Sequence, residues 1–237
     1  MATDKRENMM KIIPVIFFSL LFLLSACSPA ALPSELSSSL PAVIIPTVKS
    51  PVDFNGNGMD DYADFLTGAR LDVANSPRYD GSFYTAGGYP PDDIGVCTDV
   101  IWRAFKHAGY SLKDMVDRDI KQNPDAYPRV GGNPDPNIDF RRVKNLTPYF
   151  ERHALSLTLD MTEIEQWNAG DIVIYKNPDH IAIVSDKRNA DGVPYIVHTA
   201  GHPEEADRLN FSEIIGHYRF DASRLNQEDL IRFEASE

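Results

Sequence analysis

The apolar positions of this chain change period once along its length. Over residues 60–73, 97–108, 112–120 and 145–153 they fall at the spacing of a buried helix face. The clearest case is 97–108, where Val100, Ile101, Ala104, Phe105 and Ala108 align with Cys97 and Gly109 supplies the stop. From residue 156 onward the runs shorten. Stretches 156–159, 171–175, 181–186, 194–199 and 214–220 are rich in Ile, Val and Tyr. Turn residues separate several of them, among them Asn168-Ala169-Gly170, Lys176-Asn177-Pro178 and Asn189-Ala190-Asp191-Gly192. Helices followed by a run of antiparallel strands predict an α+β fold, with N-terminal helices packed on one sheet. Long loops are expected before Gly95 and around Pro124, Pro128, Pro134 and Pro136.

The first apolar run follows a different logic. Residues 12–24 are apolar except for Pro14 and Ser19, and Lys5, Arg6 and Lys11 precede them. A basic start and a run too short for a comfortable membrane span match a secretory signal. The run ends in Leu24-Ser25-Ala26-Cys27, which resembles the lipobox of bacterial lipoproteins. That resemblance implies cleavage before Cys27 and acylation of its sulfur. Residues 1–27 are thus read as a lipoprotein signal peptide. Residues 28–51, rich in Ser, Pro and Ala, read as a flexible tether, and 52–237 as one folded domain. Several acyl chains at Cys27 would anchor the protein to a membrane of the bacterial cell envelope, because one chain alone binds only marginally.

Composition narrows the partners. Of 237 residues 43% are hydrophobic, which excludes wholesale disorder. The 23 Lys+Arg against 35 Asp+Glu give a net charge of -12, which excludes a nucleic-acid partner held by a basic surface. Two cysteines, Cys27 and Cys97, are too few for a disulfide scaffold.

With Cys27 lipidated, Cys97 is an unpaired thiol in an exported protein. In Gly95-Val96-Cys97-Thr98-Asp99 it opens a helix, where free backbone N–H groups and the helix dipole favour a thiolate and lower its pKa. The plain alternative is a small buried apolar residue. A cysteine nucleophile needs a histidine to take its proton and a third polar group to orient the ring. The strand region offers both, with His180 opening one strand and His198 ending the next.

Cys at a helix start, Gly170-Asp171 on a first strand, His180-Ile181-Ala182-Ile183-Val184 on a second and a polar residue on a third resemble the NlpC-type papain-like cysteine peptidases. Several segments are similar to one little-characterised branch of exported bacterial proteins. They are Gly95-Val96-Cys97-Thr98-Asp99-Val100, Pro134-Asp135-Pro136-Asn137-Ile138-Asp139 with Arg141-Arg142-Val143, and Gly216-His217-Tyr218-Arg219. The resemblance spans about residues 65–221. It implies a papain-like fold and hydrolysis of amide bonds in cell-wall peptides, with Cys97 as nucleophile, His180 as general base and His198 orienting it. It departs from the usual Asp-Cys-Ser-Gly at the nucleophile, and a long insertion separates Cys97 from His180.

Other residues receive competing readings. A zinc site on Cys97, His180 and His198 is the metal alternative, and a non-catalytic cleft binding wall peptide or glycan is the alternative to an enzyme. Asp99 is either a support of the site or a helix-start residue, and Tyr84 and Tyr89 are candidate cleft residues. His217 reads as structural, and His107 and His153 as solvent-facing. His202 follows His198 by four, but Gly201 and Pro203 deny a zinc-binding helix. Finally, Asp53, Asn55, Asn57, Met59, Asp61 and Asp64 stand at calcium-loop spacing, with Gly58 at the turn, which also suggests a calcium-dependent scaffold. Their plain alternative is an Asn-Gly turn with an acidic helix cap.

Overall fold

The structure is a computed structural model that describes residues 45–234. The expected signal peptide with Cys27, and residues 28–44 of the expected tether, lie outside the described residues. Residues 45–51 hold no helix or strand. Yet the Val48 N–H bonds Asn168 Oδ1 at 3.3 Å and the Ser50 N–H bonds Asp60 Oδ1 at 2.9 Å. The domain therefore takes hold of the chain a few residues before position 52.

Four α-helices come first among the described residues: α1 (Asp61–Asn75), α2 (Cys97–His107), α3 (Leu112–Gln122) and α4 (Val143–His153). Their apolar stripes meet in one core with Phe65, Ile101, Phe105 and Phe150 at its centre. Gly68 lets α1 and α2 touch. A Cβ there would lie 2.8 Å from the Ala104 Cα and 2.6 Å from the His107 Cβ.

A parallel two-residue pair, β1 (Arg78–Tyr79) and β2 (Ile94–Gly95), braces the loop before Cys97. The main sheet contains β3 (Leu155–Ser156), β4 (Ile172–Lys176), β5 (His180–Arg188), β6 (Pro194–Thr199), β7 (Pro203–Ala206) and β8 (Glu213–Arg219). Its order is β3-β8-β4-β5-β6-β7, antiparallel throughout. Ile172, Ile174, Ile181, Ile183 and Val197 face the helices. Val173, Tyr175, Ala182, Val184 and Ile196 face a second core closed by Trp167 and Leu209. Burial on both faces explains why these strands are apolar without alternation. Helices against an antiparallel sheet are the α+β arrangement expected.

Three elements differ from expectation. The pair β1–β2 is too short to leave a periodic trace. Strand β7 is an edge strand that opens with Pro203 and carries Glu204 and Glu205, a composition that suppresses edge pairing and hides a strand from hydrophobic pattern. Strand β3 ends at Ser156, although the Leu157 N–H still bonds the His217 carbonyl at 2.9 Å.

Candidate active site

The start of α2 is held by a buried charge pair. Val96 has no side-chain acceptor to cap the helix, and Asp99 does so from inside, accepting the Val96 N–H at 2.8 Å on Oδ2. The Asp99 carboxylate is fully buried. It also accepts Trp102 Nε1 at 2.7 Å, Arg141 Nε at 2.7 Å and Arg141 Nη2 at 2.8 Å. The third guanidinium nitrogen, Nη1, donates to the Phe83 carbonyl at 2.8 Å. Asp99 is thus a support that fixes the turn carrying Cys97, and Arg141 is the partner that residue-by-residue reading had left without a role.

Cys97 is buried, and its sulfur faces the backbone N–H groups of Ile181, Thr98 and Cys97 itself. Burial pushes the thiol up to about 11, with the Asp99 charge adding to it, and the amides only partly offset the rise. This corrects the expectation of a depressed pKa. A helix N-terminus contributes fractions of a charge, whereas removing a thiolate from water costs more.

The histidines meet. The turn at Asn189 closes the β5–β6 hairpin, with the Asn189 N–H bonding the Val193 carbonyl at 2.9 Å. Because Ile183 pairs with Val197, His198 stands opposite Ala182, one same-face step from His180. The rings are diagonal neighbours, within reach of long side chains. His180 Nε2 lies 2.8 Å from His198 Nδ1, with the ring planes at 83°. Among the described residues the hydrogen-bond partner of His180 is His198, not the Cys97 sulfur. The sulfur instead sits against the Ile181 amide, one residue beyond His180. Burial drives His180 down to about 3, and the neighbouring His198 adds to the fall, so the resting ring is neutral.

A third group extends the histidine pair. His198 pairs across strands with Glu204 of β7. Glu204 Oε1 is 3.2 Å from His198 Nε2 but off the line of its N–H, an electrostatic contact without hydrogen-bond alignment. Burial lowers the His198 pKa, and Glu204 opposes that fall.

Cys97 opens onto a cleft of about 260 Å³. Tyr79, Gly81, Arg129, Arg142, Lys144 and Asp179 are among the residues that line it. Tyr79 is the cleft tyrosine, placed beside Cys97 by its pairing with Gly95. Tyr84 instead bonds Asp135 at 3.1 Å, outside the cleft wall. Tyr89 packs against Trp102 and Phe140, with ring centroids at 4.8 and 5.4 Å, and is structural.

His217 is structural, as expected. Its Nε2 lies 3.0 Å from Asp171, its Nδ1 lies 2.8 Å from the Thr158 carbonyl, and its ring stacks on Trp167 at 3.7 Å. Arg219 grips the same carboxylate at 2.7 and 2.8 Å, which accounts for the spacing in Gly216-His217-Tyr218-Arg219. Gly170 positions Asp171, since a Cβ there would stand 2.5 Å from the Tyr62 carbonyl oxygen. His153 and His107 are not free in solvent, lying 3.1 Å from Asp119 and 3.6 Å from Asp64 respectively.

The loop 53–64 forms as a turn, but its oxygens are occupied. Asp53 accepts the N–H groups of Gly56, Asn57 and Gly58. The Asn55 and Asn57 amides donate to Asp64 at 2.8 and 3.0 Å. Asp61 turns away to the Phe54 N–H and the Tyr110 hydroxyl, at 2.8 and 2.6 Å, and Met59 is exposed. Among the described residues no three His, Cys, Asp or Glu side chains converge as metal ligands. That holds for the calcium loop and for the zinc alternative at Cys97, His180 and His198.

Comparison with known proteins gives a family without an assigned activity. The family described as "Domain of unknown function (DUF1287)" matches residues 66–220. The chain is 34% identical over 162 residues to "Uncharacterized protein YijF" of Escherichia coli (strain K12), covering 65% of this chain and 78% of that protein. No solved structure matches.

Proposed function

This chain belongs to the DUF1287 family, and from that premise we propose that it is a cell-envelope cysteine hydrolase of papain-like, NlpC-type architecture, an amidase or endopeptidase acting on peptidoglycan stem peptides. The observation that carries the reading is convergence at one end of β5. The Cys97 sulfur lies at the Ile181 amide beside the cleft, and the imidazole of the preceding residue is bonded to His198 on the second-core face of the same strand. The anchoring of this domain by lipid at Cys27 is part of the same proposal.

The proton positions follow from the partners. Glu204 places a carboxylate 3.2 Å from His198 Nε2, so that nitrogen carries the proton. Its Nδ1 then accepts from His180 Nε2–H, which leaves His180 Nδ1 unprotonated. A neutral imidazole with a free lone pair can accept the thiol proton, but burial makes His180 a weak base and Cys97 a weak acid, so the transfer is uphill in the resting site. Transfer requires the His180 ring to swing from its place against Tyr175 and Phe211 to the helix face at the start of β5.

In the reaction the sulfur attacks the amide carbonyl carbon while its proton passes to His180 Nδ1. The oxyanion forms at the start of α2, where the Cys97 and Thr98 N–H groups point. Collapse breaks the C–N bond, and His180 returns the proton to the departing amine. Water, deprotonated by the same nitrogen, then hydrolyses the thioester and frees Cys97.

The neutral resting thiol and its lack of a hydrogen bond to His180 favour a second reading, a cleft that binds wall peptide without cleaving it. One experiment separates them. The full chain in detergent is incubated with muropeptides beside Cys97→Ala and His180→Ala. Product from the native chain alone is expected. Equal product from all three overturns the Cys–His mechanism, and inertness of all three favours the binding module.

A further inference from the structure

The chain carries a net charge of -12, yet the cleft at Cys97 is lined by Arg129, Arg141, Arg142 and Lys144 against a single carboxylate, Asp179. Not all of these cations are available. Arg141 is locked to Asp99, and Lys144 reaches Asp179 at 3.2 Å across an exposed contact. Arg129 and Arg142 are exposed and form no ion pair among the described residues. Arg142 lies close enough to Asp135 to help hold that carboxyl below its ordinary value, behind the hydrogen bonds from Asn137 and Tyr84, but does not touch it.

The fold gathers these charges on purpose-built positions. Arg141 and Arg142 are consecutive: one turns inward to the nucleophile helix, and the next precedes α4 facing the cleft. Arg129 comes from the loop after α3. Like charges around one concavity repel each other, and in an acidic protein they focus potential on whatever enters. Guanidinium forks match carboxylates in shape and are always charged.

We infer that the cleft selects peptides bearing a free carboxylate beside the scissile amide, with Arg129 and Arg142 as its receptors. The inference rests on the reading of this cleft as the substrate site and names the substrate class it takes. Lys144 is released to assist when the incoming carboxylate competes with Asp179.

The test separates binding from turnover. The full chain carrying Cys97→Ala, in detergent, is titrated by fluorescence anisotropy with a labelled stem tetrapeptide whose carboxylates are free, and with the same peptide as carboxamides. The free acid is expected to bind at least about tenfold tighter, by an advantage that shrinks with salt. Adding Arg129→Gln and Arg142→Gln should erase the preference, whereas Arg129→Lys with Arg142→Lys should keep most of it. Equal affinity for the two peptides, no binding of either, or a preference that survives the double Gln variant overturns the inference. The chain with Cys97 intact is assayed on the same peptides. Charge-selective binding without cleavage removes the hydrolase reading and leaves the carboxylate site standing. Cleavage of both at one kcat/KM overturns the site and spares the hydrolase.

Discussion

Replacing Arg141 with Met strands a carboxylate in the core. Asp99 is fully buried and accepts four hydrogen bonds, two of them from the Arg141 guanidinium, which also supplies the only counter-charge in contact among the described residues. Removing one partner of a buried pair costs about 3–5 kcal/mol, because the remaining charge keeps its desolvation penalty. With a urea slope of roughly 2 kcal/mol/M for a domain of this size, the midpoint should fall by about 2 M. That is a large part of a total stability of about 5–15 kcal/mol. Trp102 donates to the same carboxylate, so its fluorescence follows the transition from inside the network. Adding Asp99→Leu should recover part of the loss, though not all, because the Val96 and Trp102 donors then lack an acceptor. A loss below about 1 kcal/mol, the scale of a surface ion pair, would refute the claim that this pair holds the turn carrying Cys97.

Further predictions concern protons and backbone. Alkylation of Cys97 should keep accelerating above pH 9 toward its raised value of about 11, whereas a plateau by pH 7 would mean a preformed thiolate. His180, lowered in the fold to about 3, contributes stability that is full above its unfolded value of about 6.5 and lost as pH falls from there toward 3. Urea midpoints for the native chain should therefore decline through that window, and His180→Asn should flatten the decline. Glu204→Gln should cut kcat about tenfold or more at little cost in KM by loosening the His198 tautomer, with Glu204→Asp recovering part.

Much of this arrangement was legible in order and spacing. The helix from Cys97, the Asn189 turn and the two histidines on successive strands follow from period and punctuation, and the hairpin register then places the rings one step apart. What escaped depends on long-range contact. Arg141 and Asp99 are 42 positions apart and meet only because residues 139–142 fold back on α2. Glu204 reads as an exposed acid in a Pro-led loop until β7 pairs it with His198. The loop tyrosines could not be ranked by sequence, since Tyr79, Tyr84 and Tyr89 all fall in one aperiodic stretch and only packing separates them. The thiol shift was mis-signed for a related reason: the helix dipole is local and readable, whereas burial belongs to the whole fold.

Strand β7 also sets how the site would fail under stress. It is four residues long and last in its sheet, and its outer side is tied down chiefly where Arg70 of α1 grips Glu205 at 2.6 Å. Edge segments of this kind open in small cooperative steps well below global unfolding. Opening β7 would carry Glu204 away from His198 while the helices and the inner strands stay folded. Warming should therefore extinguish activity before far-UV circular dichroism changes, and coincident loss of both would tie β7 to the core. On this account the protein has two thermal limits, a lower one for the proton relay and a higher one for the fold.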